Sequence, residues 1–443
     1  MDQHQDQHQG QDQDEEQRST TGATTEFEPD VMDLLVEALR GAVRRESPVV
    51  GTETVLAALV MGDTDAGAAI TPGMRAAGSL SGLISGRGDR GWANDDEGPD
   101  APAAVDGDAQ DADVHEVDAH EVDTAWREAQ WRLGLGSRGA ASRGAAPRSD
   151  QAQPRMTGAL RMCLLRAIGS ARAEGTVSVR CRHVARALVD LPDSRAREAL
   201  LLRRLDPAAA ATALDGQAAG ASAQSAQSAQ SAQSAQSEGP ESRGVTLLRR
   251  AGTLGKSGNR LTRAFTSWTS GSGQNGSPVL FAVSVEAVRQ AVRCGRAAAE
   301  PVDLLLGILA LDRALSVAGR SLPESLAAAN AAPALLRRHG VRQTSLTLAA
   351  ATSAPASAVA DAAGATDAAD VRLSPAVDKL MAVAQLTAAE HGSPTVGTVH
   401  LLSALLGEPA AEADAGSVVR LLRASGQVDL AALRAELRLR LGA

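Results

Sequence analysis

The 443-residue chain is 44% hydrophobic and only 2% aromatic, with no tyrosine, which supports buried cores but leaves few of the residues that favour strands. Its formal net charge of −9 arises from two acidic tracts, residues 1–30 and 94–123, whereas the remainder is net basic. No apolar run approaches the roughly 18 residues of a membrane helix, and no signal-peptide pattern opens the chain, so we expect a cytoplasmic protein without a membrane span.

A 27-residue spacing recurs along the chain, from Phe27 to Thr54, from Met156 to His183 and from Leu373 to His400. In each copy one apolar stripe at helical spacing precedes a short connection, and a second stripe follows it. Each copy is therefore predicted to form two antiparallel helices joined by a tight loop. The first stripe consists of Val31, Leu34, Leu35 and Ala38 in one copy, Leu160, Cys163, Leu164 and Ala167 in the next, and Val377, Leu380, Met381 and Ala384 in the last.

The pattern predicts four helical repeats: repeat 1 at 26–78, repeat 2 at 151–215, repeat 3 at 280–346 and repeat 4 at 371–443. Repeat 3 is degenerate. Its second stripe is recognisable at Leu304, Leu305 and Ile308, but its first helix, from about Val283 to Arg296, is predicted to be roughly seven residues shorter than the others.

The segments between the repeats hold too few apolar residues to form cores and are predicted to be flexible. An island at Val122–Leu135 differs, because Trp126 and Trp131 would let a short helix dock on a domain. The segments are an acidic tail at 1–25, an acidic insertion at 79–150, a Ser-Ala-Gln linker at 216–243, a basic amphipathic segment at 244–270 and an Ala-rich linker at 347–370.

The connection between the paired helices reads Val50-Gly51-Thr52-Glu53-Thr54-Val55-Leu56 in repeat 1 and Val396-Gly397-Thr398-Val399-His400-Leu401-Leu402 in repeat 4. It resembles the Gly-Thr-Glu-His-hydrophobic-Leu junction of the Clp N-terminal repeat. The resemblance implies an all-α fold of two pseudo-twofold helical domains, one from repeats 1 and 2 and one from repeats 3 and 4, joined by disordered linkers. In that family such domains stand in front of AAA+ unfoldases and receive substrates and adaptor proteins.

The sequence predicts no ATPase module, and therefore no enzyme of the AAA+ kind. The nearest approach to a phosphate-binding loop, Gly252-Thr253-Leu254-Gly255-Lys256-Ser257, has two residues between its glycines instead of four and follows no apolar strand. No nucleophile motif of the GxSxG type occurs. We therefore expect neither catalytic residues nor a cofactor.

Metal sites are not predicted either. His115 and His120 are each followed by glutamate, but they are five residues apart, which is too far for the paired ligands of an HExxH helix. The three cysteines Cys163, Cys181 and Cys294 are widely separated, so free buried thiols are expected.

The resemblance also singles out candidate binding residues, because in some relatives the Thr-Glu pair of the junction helps to bind phosphorylated arginine. These candidates are Thr52, Glu53 and Thr398. A hydroxyl at a helix N-terminus suits an oxyanion, and a carboxylate suits a guanidinium. Only repeat 1 keeps the glutamate, so we expect the site to be reduced or lost, with support of its own helix as the alternative role of Glu53. The replacing residues are Arg182, Val302 and Val399.

The sequence thus predicts a non-enzymatic protein- or peptide-binding module, acting as an adaptor, decoy or regulator in Clp-dependent proteolysis. Its expected partners are Clp protease components or their substrates. The alternative is a helical nucleic-acid-binding or regulatory protein that uses the basic residues of 245–268. Nucleic acid is the less favoured partner, because the charge density there is modest and docking of that segment on its own domain explains the same pattern.

Overall fold

The computed structural model describes residues 25–88, 91–94, 96, 109–135, 153–217, 241–254, 277–352, 371–407, 418–424 and 428–442, with backbone only at 109–114. It has two compact units. The N-terminal unit spans Thr25–Pro240, and the C-terminal unit includes Glu241–Ala443. Nearly all of the predicted acidic tail and most of the Ser-Ala-Gln and Ala-rich linkers lie outside the described residues.

The N-terminal unit is helical, with four two-residue strands. Its elements are β1 (Glu26–Phe27), α1 (Pro29–Arg44), β2 (Val49–Val50), α2 (Thr52–Met61), α3 (Asp65–Ile70), α4 (Met74–Arg87), α5 (Ala109–Arg132), β3 (Arg155–Met156), α6 (Gly158–Ala173), β4 (Ser178–Val179), α7 (Cys181–Asp190), α8 (Arg195–Leu202) and α9 (207–217).

Repeats 1 and 2 are joined by two pairs of short parallel strands. β1, which precedes the first helix of repeat 1, pairs in parallel with β4 in the connection of repeat 2. β3, which precedes the first helix of repeat 2, pairs in the same sense with β2 in the connection of repeat 1. The two pairings are equivalent when the repeats are interchanged. A single core cluster draws its side chains from both repeats, so the two close into one unit.

The region predicted as a flexible acidic insertion differs from that prediction over much of its length. α4 buries Leu80 and Ile84, and α5 buries Val122, Trp126 and Ala129 in the same core as the repeats. The docked helix expected around Val122 is therefore present and begins earlier than its apolar residues indicate.

Several carboxylates of α5 also have defined partners in the repeats. Asp118 accepts hydrogen bonds from Arg172, Asp123 pairs with Arg161, and Glu121 Oε1 accepts the backbone N–H of Phe27 at 3.2 Å. Composition alone assigns this acidic helix to a linker, but burial of its apolar side chains in the core accounts for it, and the partly exposed ion pairs add little.

The C-terminal unit has a similar helical content. Its elements are α10 (Arg243–Arg250), α11 (Pro278–Arg293), β5 (Ala298–Ala299), α12 (Pro301–Val317), α13 (Glu324–Ala327), a 3-10 turn (Ala328–Asn330), α14 (Ala332–Arg338), α15 (Gln343–Thr352), β6 (Arg372–Leu373), α16 (Pro375–Glu390), α17 (Thr398–Gly407), α18 (Val418–Ala424) and α19 (Leu430–Leu441).

The first helix of repeat 3 is not shortened, contrary to the prediction. α11 has 16 residues, as do α1, α6 and α16. Ser277 caps it by accepting the N–H of Leu280, and Pro278 occupies its first turn, where proline loses no hydrogen bond. The helix therefore starts at this cap, ahead of the apolar residues used to place it. Repeats 3 and 4 are joined by the parallel pairing of β5 with β6.

The all-α prediction is confirmed: helices dominate the described residues and each strand has two residues. Every side chain of the predicted first stripes is buried. None of the three cysteines forms a disulfide and all three are buried, as expected. Among the described helices none combines the length and the apolar character that a membrane crossing needs.

Candidate functional site

Thr52, the first residue of α2, lies at the centre of a buried polar cluster in the N-terminal unit. Its backbone N–H donates to Asp96 Oδ2 at 2.7 Å, and its hydroxyl donates to Asp96 Oδ1 at 3.0 Å. The same hydroxyl accepts the backbone N–H of Ala196, in the first turn of α8, at 3.0 Å. The polar atoms that could contact a ligand at this helix start are therefore occupied by protein groups.

Asp96 joins the starts of three helices through one carboxylate. Besides the two bonds from Thr52, it accepts the backbone N–H of Arg195 at 3.0 Å and the hydroxyl of Thr157 at 3.2 Å. Thr157 is the N-cap of α6, and Arg195 is the first residue of α8. Because free N–H groups and the helix dipole favour negative charge at a helix N-terminus, the first turns of α2 and α8 both stabilise this anion.

Glu53, the next residue of α2, is buried beside this cluster, with 2% of its surface exposed. Its Oε1 lies 3.8 Å from Arg195 Nη1 and accepts a hydrogen bond from the Thr54 hydroxyl at 3.1 Å, whereas its Oε2 has no hydrogen-bond partner. Burial, and secondarily the negative charge of Asp96, raise the pKa of Glu53 to about 7. A solvent-exposed carboxylate at a helix start would not be desolvated, so its pKa would not be raised in this way.

The short segment that carries Asp96 lies along the N-terminus of α8. The Glu198 carboxylate of α8 accepts the backbone N–H groups of Ala93 and Asn94, at 2.8 and 3.3 Å. Arg87 donates to the carbonyl of Gly91 at 2.7 Å and stacks on the ring of Trp92 at 5.3 Å. We refer to residues 91–94 and 96 as the Asp96 segment.

Thr398 occupies the corresponding helix start in repeat 4, within the C-terminal unit. Its backbone N–H donates to the side-chain oxygen of Asn330 at 3.0 Å, and its buried hydroxyl has no hydrogen-bond partner. Gly397 is required here, since a Cβ at that position would lie 2.1 Å from the carbonyl oxygen of Ala329. A neutral amide in repeat 4 thus takes the place that a carboxylate takes in repeat 1.

The histidine position of the junction has a capping role. In three repeats the third residue of the second helix accepts the backbone N–H of the residue before that helix, which satisfies a free donor. The pairs are His183 Nδ1 with Arg180 N at 2.9 Å, Asp303 Oδ2 with Glu300 N at 2.9 Å, and His400 Nδ1 with Gly397 N at 3.0 Å. Burial lowers the pKa of both histidines, which favours the neutral ring that this bond needs.

The positions that replace Glu53 in the other repeats differ in their surroundings. Val399 and Val302 are buried, whereas Arg182 pairs with Glu174 at the surface. In repeat 3 the buried charge has moved one residue along, to Asp303, whose carboxylate pairs with Arg296 Nη1 at 2.5 Å. Burial raises the pKa of Asp303 to about 6.

The structure thus brings Thr52 and Glu53 together around two residues that sequence reasoning missed, Asp96 and Arg195. Thr398 belongs to the other unit. Asp96 gives no local signal, because it is one acid among many in an acidic tract. Asn330 was missed for a similar reason: it follows the helical segment α13 without any motif.

The basic segment proposed as a nucleic-acid contact is described only up to residue 254. Its helix α10 packs on α11, with Val245 and Leu248 buried. Glu286 of α11 accepts the backbone N–H of Gly244 at 3.2 Å, and Arg249 pairs with Glu241 at 3.2 Å. These contacts agree with docking on its own unit. Lys256, Arg260, Arg263, Phe265 and Trp268 lie outside the described residues.

Within the described part of the chain, no group of three or more His, Cys, Asp or Glu residues is arranged to hold a metal ion. Comparison with family models, with characterised proteins and with solved structures finds no match to this chain.

Proposed function

We propose that the chain is a cytoplasmic, non-enzymatic protein- or peptide-binding module related to the N-domains of Clp AAA+ unfoldases. It acts as an adaptor, decoy or regulator in Clp-dependent proteolysis. Its partners are Clp protease components or the substrates that those components receive.

The reciprocal strand pairing between repeats 1 and 2 in the N-terminal unit is the observation that supports this proposal most. The resemblance implies two repeats that pack as one pseudo-twofold domain, and such packing requires equivalent contacts from each repeat to the other. β1 with β4 and β2 with β3 are contacts of that kind, at equivalent positions of the two repeats.

The best candidate surface for binding a peptide partner lies on α2, α4 and α8, which pack against one another. These helices expose Met61, Met74, Leu201 and Leu202, the last two at 57% and 46%. Arg203 and Arg204 follow directly and are also exposed. Large apolar side chains beside arginines suit a peptide that combines apolar anchors with acidic residues.

The test is a degradation assay with a Clp unfoldase, its peptidase partner and a fluorescent substrate, to which the full chain is added. An adaptor accelerates degradation, whereas a decoy slows it, and either effect should saturate with binding of the chain. The paired change Leu201→Glu and Leu202→Glu should weaken the effect. Leu386→Glu, an exposed leucine of α16 at 64%, is the matched control in the other unit. Absence of both binding and any change in degradation would refute the proposal.

A further inference from the structure

The first helix of repeat 4, α16, exposes two apolar side chains on one side. Leu386 is 64% exposed and Val383 is 36% exposed, and they lie one turn apart on the same side of the helix. Lys379 lies one turn before Val383 and Glu390 one turn after Leu386, and both are exposed. We refer to Lys379, Val383, Leu386 and Glu390 as the α16 face.

The same side of the first helix is polar in repeats 1 and 2. The first helices of all four repeats have 16 residues, so their positions can be compared one by one. At the two apolar positions of the α16 face, α1 has Glu37 and Arg40, which form an ion pair with each other. At the same positions α6 has Arg166 and Gly169, both exposed. These side chains suit contact with water, so neither helix needs a cover there.

In repeat 3 the same side of the first helix is covered by another helix. α11 has Glu286 and Arg289 at the two positions, and α10 packs on α11. Glu286 is 1% exposed and accepts the backbone N–H of Gly244 of α10 at 3.2 Å. No described element covers the α16 face in this way. Among the four first helices, α16 alone combines exposure with large apolar side chains at both positions.

The order of the side chains along the α16 face makes this face complementary to itself. Lys379 and Glu390 are equally far from the midpoint of the face, and so are Val383 and Leu386. A twofold axis through that midpoint sets two α16 helices antiparallel and places Lys379 of each copy beside Glu390 of the other. The same axis places Val383 of each copy against Leu386 of the other. A parallel arrangement would instead bring like charges together.

We propose that the α16 face binds a second copy of this chain through an antiparallel contact between two α16 helices. The occupant is a second copy because an isologous contact requires a surface that complements itself, and opposite charges at the two ends of the face meet this requirement. One helix face from each copy buries less than the roughly 1,200 Å² of most stable complexes, so the dimer forms reversibly at micromolar concentrations. The inference does not depend on the Clp relationship.

Sedimentation velocity of the full chain over a range of protein concentrations measures this association. The wild type should change from monomer to dimer as the concentration rises, and added salt should weaken the dimer. Lys379→Glu and Glu390→Lys should each raise the dimer Kd by about tenfold or more, because each variant places two like-charged pairs in the contact. An equal mixture of the two variants should form a dimer about as stable as that of the wild type, since every facing pair is then oppositely charged.

Leu386→Glu should also prevent dimerisation, because it places a charge in the apolar centre of the contact. Leu439→Glu is the matched control, since Leu439 is a 75% exposed leucine of α19 in the same unit, and it should dimerise like the wild type. All the changed side chains are exposed, so circular dichroism should show that each variant folds. The α16 face lies outside the proposed peptide surface of α2, α4 and α8, so this assay and the degradation assay can fail independently.

A wild-type chain that stays monomeric at every concentration would overturn the inference. A dimer that Leu386→Glu leaves unchanged would overturn it as well, because another surface would then form the contact. The antiparallel arrangement is wrong if the mixture of Lys379→Glu and Glu390→Lys associates no better than either variant alone. A chain that dimerises only after removal of residues 255–276 would show that its own basic segment occupies the α16 face, which also overturns the inference.

Discussion

The Glu53 carboxylate and the Arg195 guanidinium lie 3.8 Å apart in the N-terminal unit, with both side chains almost wholly buried. Arg195 opposes the rise in the pKa of Glu53, but burial outweighs it, and the pKa reaches about 7. The folded state therefore holds a proton that the unfolded state releases at lower pH. Two of the sequence-derived candidate residues, Thr52 and Glu53, thus belong to a pH-sensitive buried cluster.

Replacing Glu53 by glutamine should flatten the pH dependence of stability in the N-terminal unit. A raised folded pKa stabilises the fold below the unfolded pKa of 4.5, and this contribution is lost as pH rises through about 7. The wild type should lose on the order of a few kcal/mol across that range, whereas Glu53→Gln should not. Urea unfolding followed by tryptophan fluorescence at pH 5 and pH 8 measures this. Glu116→Gln, at an exposed position of α5, should keep the wild-type slope.

His400→Ala should remove an acid-sensitive cap from α17. The lowered pKa of His400 means that its contribution is present above the usual histidine pKa of 6.5 and is lost as pH falls through the lower folded value. At neutral pH the loss of the cap should cost about 1 kcal/mol. Thermal unfolding at pH 7.5 and pH 5 should show a smaller pH effect in the variant. The exposed His115→Ala, in the N-terminal unit, is the control, and an equal effect of both changes would contradict the capping role.

Leu401→Ala should destabilise the C-terminal unit by roughly 2 to 5 kcal/mol, because it leaves a cavity in a fully buried site. Leu405, 1% exposed, should behave alike. From sequence, Val399→Glu is expected to be tolerated, since the matching Glu53 is acidic. The structure reverses that expectation, because Val399 is buried at 2%, where a carboxylate would lose its hydration. Thermal unfolding of Val399→Glu should therefore resemble that of Leu401→Ala.

Cleavage between residues 136 and 150 should leave the two halves of the N-terminal unit associated. The sequence predicts tryptic cleavage at the arginines from Arg138 to Arg148, and a specific protease site inserted there gives one defined cut. The paired strands and the shared core hold the fragment with repeat 1 and the fragment with repeat 2 together. Gel filtration of the nicked chain should show one species in native buffer and two fragments in urea. Separation in native buffer would mean that repeats 1 and 2 do not form one unit.

Much of the fold can be predicted from the sequence because it depends on local periodicity. The apolar stripes of α1, α6 and α16 recur at helical spacing, and α6 and α16 start after the capping residues Thr157 and Ser374. Helix boundaries that are set by polar residues are predicted less well. α11 begins at Ser277, ahead of its stripe, and α5 extends through an acidic sequence that has no local reason to fold.

The candidate site likewise combines features that follow from local sequence with contacts that do not. The sequence by itself determined that Thr52, Glu53 and Thr398 stand at helix starts, since these positions follow from the junction motif. Only the tertiary structure decided what meets them, because the deciding contacts join residues far apart in the chain. Asp96 reaches Thr52 across 44 residues, and Ala196 reaches it across 144. Hydrogen bonds of this kind depend on the burial and the angles of packed helices, and no local pattern of residues encodes them.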